Sequence, residues 1–153
     1  MLSLEAIILS HPFFEEIEPA QVNHLVECAS HIRFHAEDIL FRAGDSADHF
    51  YIIKEGKISL DVSVPGRGSV SIQTIYGGDV IGWSWLFPPY EWQFDARAMQ
   101  DTQAVAFDGR SLRELCASDH EIGYQLMQRF AQVIAQRLQA TRLQLLDIYA
   151  PQA

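Results

Sequence analysis

Trp83, Trp85, Phe87, Tyr90, Trp92 and Phe94 crowd six aromatic rings into one short stretch of the chain. Rings at this density can stack on a flat ligand, or they can fill their own pocket. The second reading is favoured, because aromatic clusters are usually core. Ser84 and Gln93 lie among the rings and could either hydrogen-bond a ligand or cap a short helix there. Arg97 is the only basic residue between Arg67 and Arg110, so it is the one local cation that could meet an anion. Asp95 stands two residues before it, on the same face of a regular strand. A structural Asp95–Arg97 pair is therefore expected ahead of a ligand contact.

Other chemistries find little support. The six histidines are His11, His24, His31, His35, His49 and His120. None forms a His-x-His pair, and His31 and His35, four apart on an expected strand, need not converge on a metal. No nucleophile elbow of the Gly-x-Ser-x-Gly type occurs, and no glycine-rich nucleotide loop of either common kind. Neither catalytic residues nor a metal site nor a cofactor are expected.

The elements that must position the aromatic stretch fall into three zones. The chain has 153 residues, enough for one domain with a substantial core. We expect a single domain over 1–153, with helices in 1–30, strands in 31–108 and helices again in 109–150. In the first zone Pro19 suits a first helical position, and Val22, Leu25, Val26 and Ala29 share one helical face. His11-Pro12-Phe13-Phe14 precedes it as an apolar hook. In the second zone Ile58, Leu60, Val62 and Val64 alternate with polar residues, and Val70, Ile72, Thr74 and Tyr76 repeat the pattern. Pro65-Gly66-Arg67-Gly68 between them predicts a hairpin. Short strands with regular Gly-rich turns predict a small barrel or jelly roll.

In the third zone Asp108 can cap a short helix through Cys116, and Asp119 a long one starting near Glu121. Met127, Ala131, Ile134, Leu138, Thr141, Leu145 and Ile148 follow at spacings of four and three, a heptad seam. Such a seam can dock on its own barrel or pair with a second copy, and its length favours a homodimer. Phe130 and Val133 lie beside the seam and could face the barrel.

Net charge is −9, from 11 basic and 20 acidic residues, which disfavours contact with a phosphate backbone over a broad surface. Cys28 and Cys116 are read as free thiols in helix-like segments. No apolar run approaches ~18 residues, so no membrane span is expected. The N-terminus lacks the basic region of a signal peptide, so a cytoplasmic location is expected.

Three segments carry a family resemblance that covers nearly the whole chain. Phe41-Arg42-Ala43-Gly44-Asp45-Ser46-Ala47-Asp48, then Phe50 through Ile58, then Gly78-Asp79-Val80-Ile81-Gly82, match in order and spacing. The chain resembles the cyclic-nucleotide-binding domain of the catabolite activator, or Crp-Fnr, family and of kinase regulatory subunits. The resemblance implies a mainly β fold of the α+β class: a double-stranded β-helix, or jelly roll, flanked by N-terminal helices and a long C-terminal helix. It also makes residues 78–98 the phosphate-binding cassette. In that family a glutamate after the cassette glycine bonds the ribose. Nine or ten residues on, an arginine pairs with the cyclic phosphate. Here those positions hold Trp83, after Gly82, and Trp92.

Losing a hydrogen bond to a charged group costs roughly 1.5–3 kcal/mol, and an unpaired phosphate in a desolvated site costs more. A tenfold loss of affinity corresponds to about 1.4 kcal/mol, so two such losses weaken cyclic nucleotide binding by several orders of magnitude. The candidate pocket is therefore Gly82, Trp83, Ser84, Trp85, Trp92, Gln93 and Arg97, with cyclic nucleotide possible but not favoured. The expected function is a non-catalytic regulatory or ligand-sensing module acting through a protein partner or an unidentified ligand. One alternative is the sensor half of a Crp-Fnr-type transcription regulator. There a helix-turn-helix follows the long helix, whereas this sequence stops just after Pro151, which reads as a natural end. Direct DNA binding is accordingly not expected. A second alternative is a cyclic nucleotide receptor with unconventional contacts.

Overall fold

The computed structural model describes residues 3–149, with side-chain surroundings from residue 3 to residue 143. The first zone forms α1 (Leu4–Ser10), a 3-10 turn over Pro12–Phe14, and α2 (Pro19–Glu27). Pro19 opens α2 at its first position, and Val22 and Leu25 are buried. Ala29 departs from the expected helical face and begins the first strand. His11 holds the apolar hook in place: its Nδ1 accepts from the Phe13 amide at 3.1 Å and its Nε2 donates to the Gly78 carbonyl at 2.8 Å.

Eight strands follow: β1 (Ala29–Phe34), β2 (Ile39–Phe41), β3 (His49–Glu55), β4 (Lys57–Val64), β5 (Gly68–Tyr76), β6 (Val80–Ile81), β7 (Asp95–Ala98) and β8 (Thr102–Asp108). They build two four-stranded antiparallel sheets, ordered β1-β8-β3-β6 and β2-β7-β4-β5. This is the expected jelly roll with its helical flanks. The β4–β5 hairpin turns at Pro65–Gly68 as anticipated. Its second strand, however, does not keep one phase. Leu60 faces Gln73 while Asp61 faces Ser71, so Ile72 is an extra residue in a β-bulge. The bulge reverses the alternation. Ile75 is buried, whereas Ile72 and Tyr76 stay exposed.

After the roll come α3 (Gly109–Ser118) and α4 (His120–Tyr149). Asp108 caps α3 through its Oδ1, which accepts from the Arg110 and Ser111 amides, and Asp119 accepts from Ile122 in α4. Ile122, Leu126 and Phe130 of α4 are buried on the roll. There Phe50, Phe107, Phe130 and Trp85 form an aromatic junction, with Phe50 stacked on Phe107 at 4.4 Å and on Trp85 at 5.5 Å. The seam residues Met127 and Leu138 remain about half exposed (47% and 50%), so the roll does not cover that face. Ile134 is half-buried and Thr141 exposed. Leu145 and Ile148 lie outside the residues whose side chains are described. Cys28 and Cys116 are free and half-buried, and burial raises the pKa of both thiols. Among the described residues no helix is long and apolar enough to cross a membrane.

Candidate functional site

The cassette leaves β6 at Gly82 and returns to the second sheet at β7. Between them the chain forms successive turns rather than the short helix expected there. Leu86 bonds back to Trp83 and Tyr90 to Phe87, and the Pro88–Pro89 pair, which lacks amide donors, prevents a continuous helix. Ser84 is nevertheless buried, while Gln93 is exposed and donates to the Glu91 carbonyl. The return limb is tied to the turn after β2. The Ala47 amide bonds the Tyr90 carbonyl at 2.7 Å, Gly44 bonds Trp92 at 2.8 Å, and the Trp92 amide bonds Asp45 at 3.0 Å. From the other side Arg113 of α3 donates to the Trp85 carbonyl at 2.7 Å and lies over the Tyr90 ring at 4.4 Å. A cavity of about 310 Å³ lies where Trp85 and Tyr90 meet α3 and α4.

The three tryptophans end in three different environments. Trp85 is fully buried in the junction between roll and helices, with its indole Nε1 unpartnered among the described residues. Trp92 is 4% exposed and stacks on Phe41 of β2, centroids 3.7 Å apart and planes within 10°. Its ring edge also covers Gly82. A Cβ there would meet Trp92 Cη2 at 2.7 Å, and Gly82 has φ of +100°, so both space and conformation require glycine. Trp83 is only half-buried. Phe94 meets it edge-on at 6.2 Å, and the Arg137 guanidinium lies over its ring at 5.0 Å.

Arg97 stands apart from these rings. Along β7, Ala96 and Ala98 face the core, which places Arg97 on the outer face of the sheet. There its partners are Glu37 at 3.3 Å and Asp61 of β4 at 3.6 Å. The expected Asp95–Arg97 pair is replaced. β7 lies between β2 and β4, so Arg97 meets Asp61 across the sheet, and the Asp95 carboxylate accepts from the Ala43 amide at 2.8 Å. Asp61 is itself buried and accepts from Ser59 at 2.5 Å, so the cluster holds the outer face of this sheet together.

Arg137 was not singled out by the sequence reading. It follows Phe130 by seven and Val133 by four, and so shares their roll-facing stripe. That spacing was the available signal. One terminal nitrogen, Nη2, donates to the Val80 carbonyl. The other, Nη1, is sealed from solvent and has no acceptor among the described residues. Burial pulls the guanidinium pKa down to about 10, against a smaller opposing effect of Asp79. Arg137 stands in the wall of a groove of about 830 Å³ between α4, the apolar hook and the strand leading into the cassette.

A family model described as the cyclic nucleotide-binding domain matches residues 31–119, more than half of the chain. The chain belongs to the cyclic nucleotide-binding domain family. A CRP-like cAMP-activated global transcriptional regulator of Mycobacterium tuberculosis is 28% identical over 146 residues, which is 95% of this chain. The chain spans 63% of that regulator's length. A solved Geobacter metallireducens protein of the cyclic nucleotide-binding type superposes with a TM-score of 0.80 at 25% identity, covering 90% of this chain and 99% of its own. The catabolite activator protein of Thermus thermophilus shares the fold, with a TM-score of 0.69 at 21% identity over 88% of this chain and 61% of its own. The residue positions where the family resemblance expects a glutamate and an arginine are thus held, in a member of the family, by Trp83 and Trp92.

Proposed function

We propose that the chain is a non-catalytic regulatory module that has kept the cyclic nucleotide-binding fold and closed its usual phosphate contact. The carrying observation is the Trp92 ring, stacked on Phe41 and pressed against Gly82. A ring in that place supplies no positive charge, and it occupies the space beside the cassette glycine. With Trp83 in the glutamate position, neither a ribose acceptor nor a phosphate cation remains on the cassette. Gly82, Trp83, Ser84, Trp85, Trp92 and Gln93 then serve as a largely self-filled cassette, and Arg97 as a brace on the outer sheet face. Titration calorimetry with cyclic AMP and cyclic GMP at micromolar concentrations should give no binding heat, and a saturable signal there defeats this reading.

The exposed half of α4 supports a homodimer through the Ile134, Leu138, Thr141, Leu145 and Ile148 seam. Sedimentation at tens of micromolar should give a dimer, and Leu138→Glu should give a monomer that keeps its fold. The signal then passes through a protein partner or a ligand other than a cyclic nucleotide. A second reading, the sensor part of a transcription regulator, draws on the match to the mycobacterial regulator along 95% of this chain. A gel shift on random duplex DNA at low salt separates the two. The regulatory-module reading expects no shift from this chain.

A further inference from the structure

Resting on the reading of α4 as a dimer seam, we propose that the Tyr124 ring of a second copy fills the cavity between the cassette, α3 and α4. The seam does not begin at Met127. Carried upstream at the same spacings of three and four, it takes in Tyr124 and His120. Tyr124 is 68% exposed, more than any other large apolar side chain among the described residues. In a parallel, in-register pair, each seam residue enters a hole of four residues on the facing helix. The hole that receives the partner's Tyr124 is then His120, Gly123, Tyr124 and Met127 of this chain. Three of those four, His120, Gly123 and Met127, form the α4 wall of the cavity of about 310 Å³. Gly123 keeps that wall open. It has no side chain where α4 comes close to α3, and a Cβ there would stand 3.2 Å from Cys116. The facing wall is apolar and aromatic, from Trp85, Leu86 and Tyr90. The chain's own Tyr124 lines the groove on the other flank of α4 and is not part of this lining.

The chemistry of the cavity fits an uncharged ring. Arg113 is the one charged side chain in its wall among the described residues, and it is already engaged. It donates to the Trp85 carbonyl at 2.7 Å, lies 3.8 Å from Asp48 and covers the Tyr90 ring at 4.4 Å. Charge also points to a second copy as the occupant. The chain carries a net charge of −9, so two copies repel unless the faces that meet are neutral. From Ile122 to Thr141 α4 has no Asp or Glu. Its two arginines in that span turn to the roll side, Arg129 to the Glu15 carbonyl and Arg137 to the Val80 carbonyl.

The test follows Cys116, which lines the cavity, in a Cys28→Ser background so that a single thiol reacts. Sedimentation and the rate of maleimide labelling are measured on the same samples of the intact chain. At tens of micromolar the protein should be a dimer and label slowly. Dilution to monomer, or Leu138→Glu, should speed labelling several-fold. Tyr124→Ala should raise the dissociation constant of the dimer roughly tenfold, as for a buried aromatic anchor, and should speed labelling of the dimer that remains. Tyr124→Phe should keep both near the parental values. Tyr124→Ala should not lower the melting temperature of the Leu138→Glu monomer, because the ring is exposed in a single chain. Cys116 labelling that is equal in dimer and monomer, or unchanged by Tyr124→Ala, overturns the occupancy of the cavity and leaves the helix seam standing. A fall in the melting temperature of the monomer also overturns it, since the ring then packs within its own chain. A protein that stays monomeric at tens of micromolar overturns the seam itself, and the occupancy with it.

Discussion

Trp92 and Trp83 stand at the two ends of one loop and do opposite things with the same side chain. Trp92 is enclosed, lies against the neutral surfaces of Phe41 and Gly82, and acts as packing. Trp83 is half-buried and carries a cation on its face, brought from a helix far along the chain. The contrast separates two ways in which the proposed loss of the usual phosphate contact would come about. At one end the space is taken. At the other a positive charge remains, delivered by α4 rather than by the cassette, and its pairing is incomplete.

The contrast can be broken most forcefully at Trp92. Trp92→Ala should destabilise the protein by about 3–5 kcal/mol in urea unfolding, the usual cost of emptying a buried aromatic site. A loss below about 1 kcal/mol would mean that the ring is not packing. Gly82→Ala comes next, at about 1–3 kcal/mol, because a methyl group there runs into Trp92. Part of that cost should disappear in the Trp92→Ala background, since the clash is gone while the left-handed backbone strain stays. A double-mutant cycle measures the coupling. Trp83→Ala should cost only about 1–2 kcal/mol, from a partly buried ring and one cation–π contact. If it equals Trp92→Ala, the two ends are not different in kind. The smallest effect belongs to Arg97→Ala, about 1 kcal/mol, because its Glu37 partner is exposed and the buried Asp61 keeps its hydrogen bond from Ser59.

Much of this arrangement could be read from residue order. The glycine turns, the hairpin and the capping residues Asp108 and Asp119 are local signals, so the roll and its helical flanks could be placed in advance. Trp83 and Trp92, at the positions where the family resemblance expects polar residues, were equally plain. What escaped was set by distant partners. Arg97 was expected to meet Asp95, yet strand pairing presents Asp61 to it from β4. Arg137 reaches Trp83 across more than fifty residues of sequence, and no local pattern marks that meeting. Its helical spacing from Phe130 and Val133 showed which way it points, but not what it would find.

The bulge at Ile72 has a consequence for how these molecules behave in a crowd. β5 is an edge strand, nine residues long, with one side of its backbone unpaired in the sheet. A straight edge of that length is a template on which another chain can add its own strand. The extra residue breaks the regular spacing of hydrogen-bonding groups midway and twists the strand. An incoming strand therefore finds two short, misaligned runs instead of one long one. Ile72, left exposed by the same irregularity, sits where such an addition would lose its register. The bulge thus disfavours association through the sheet.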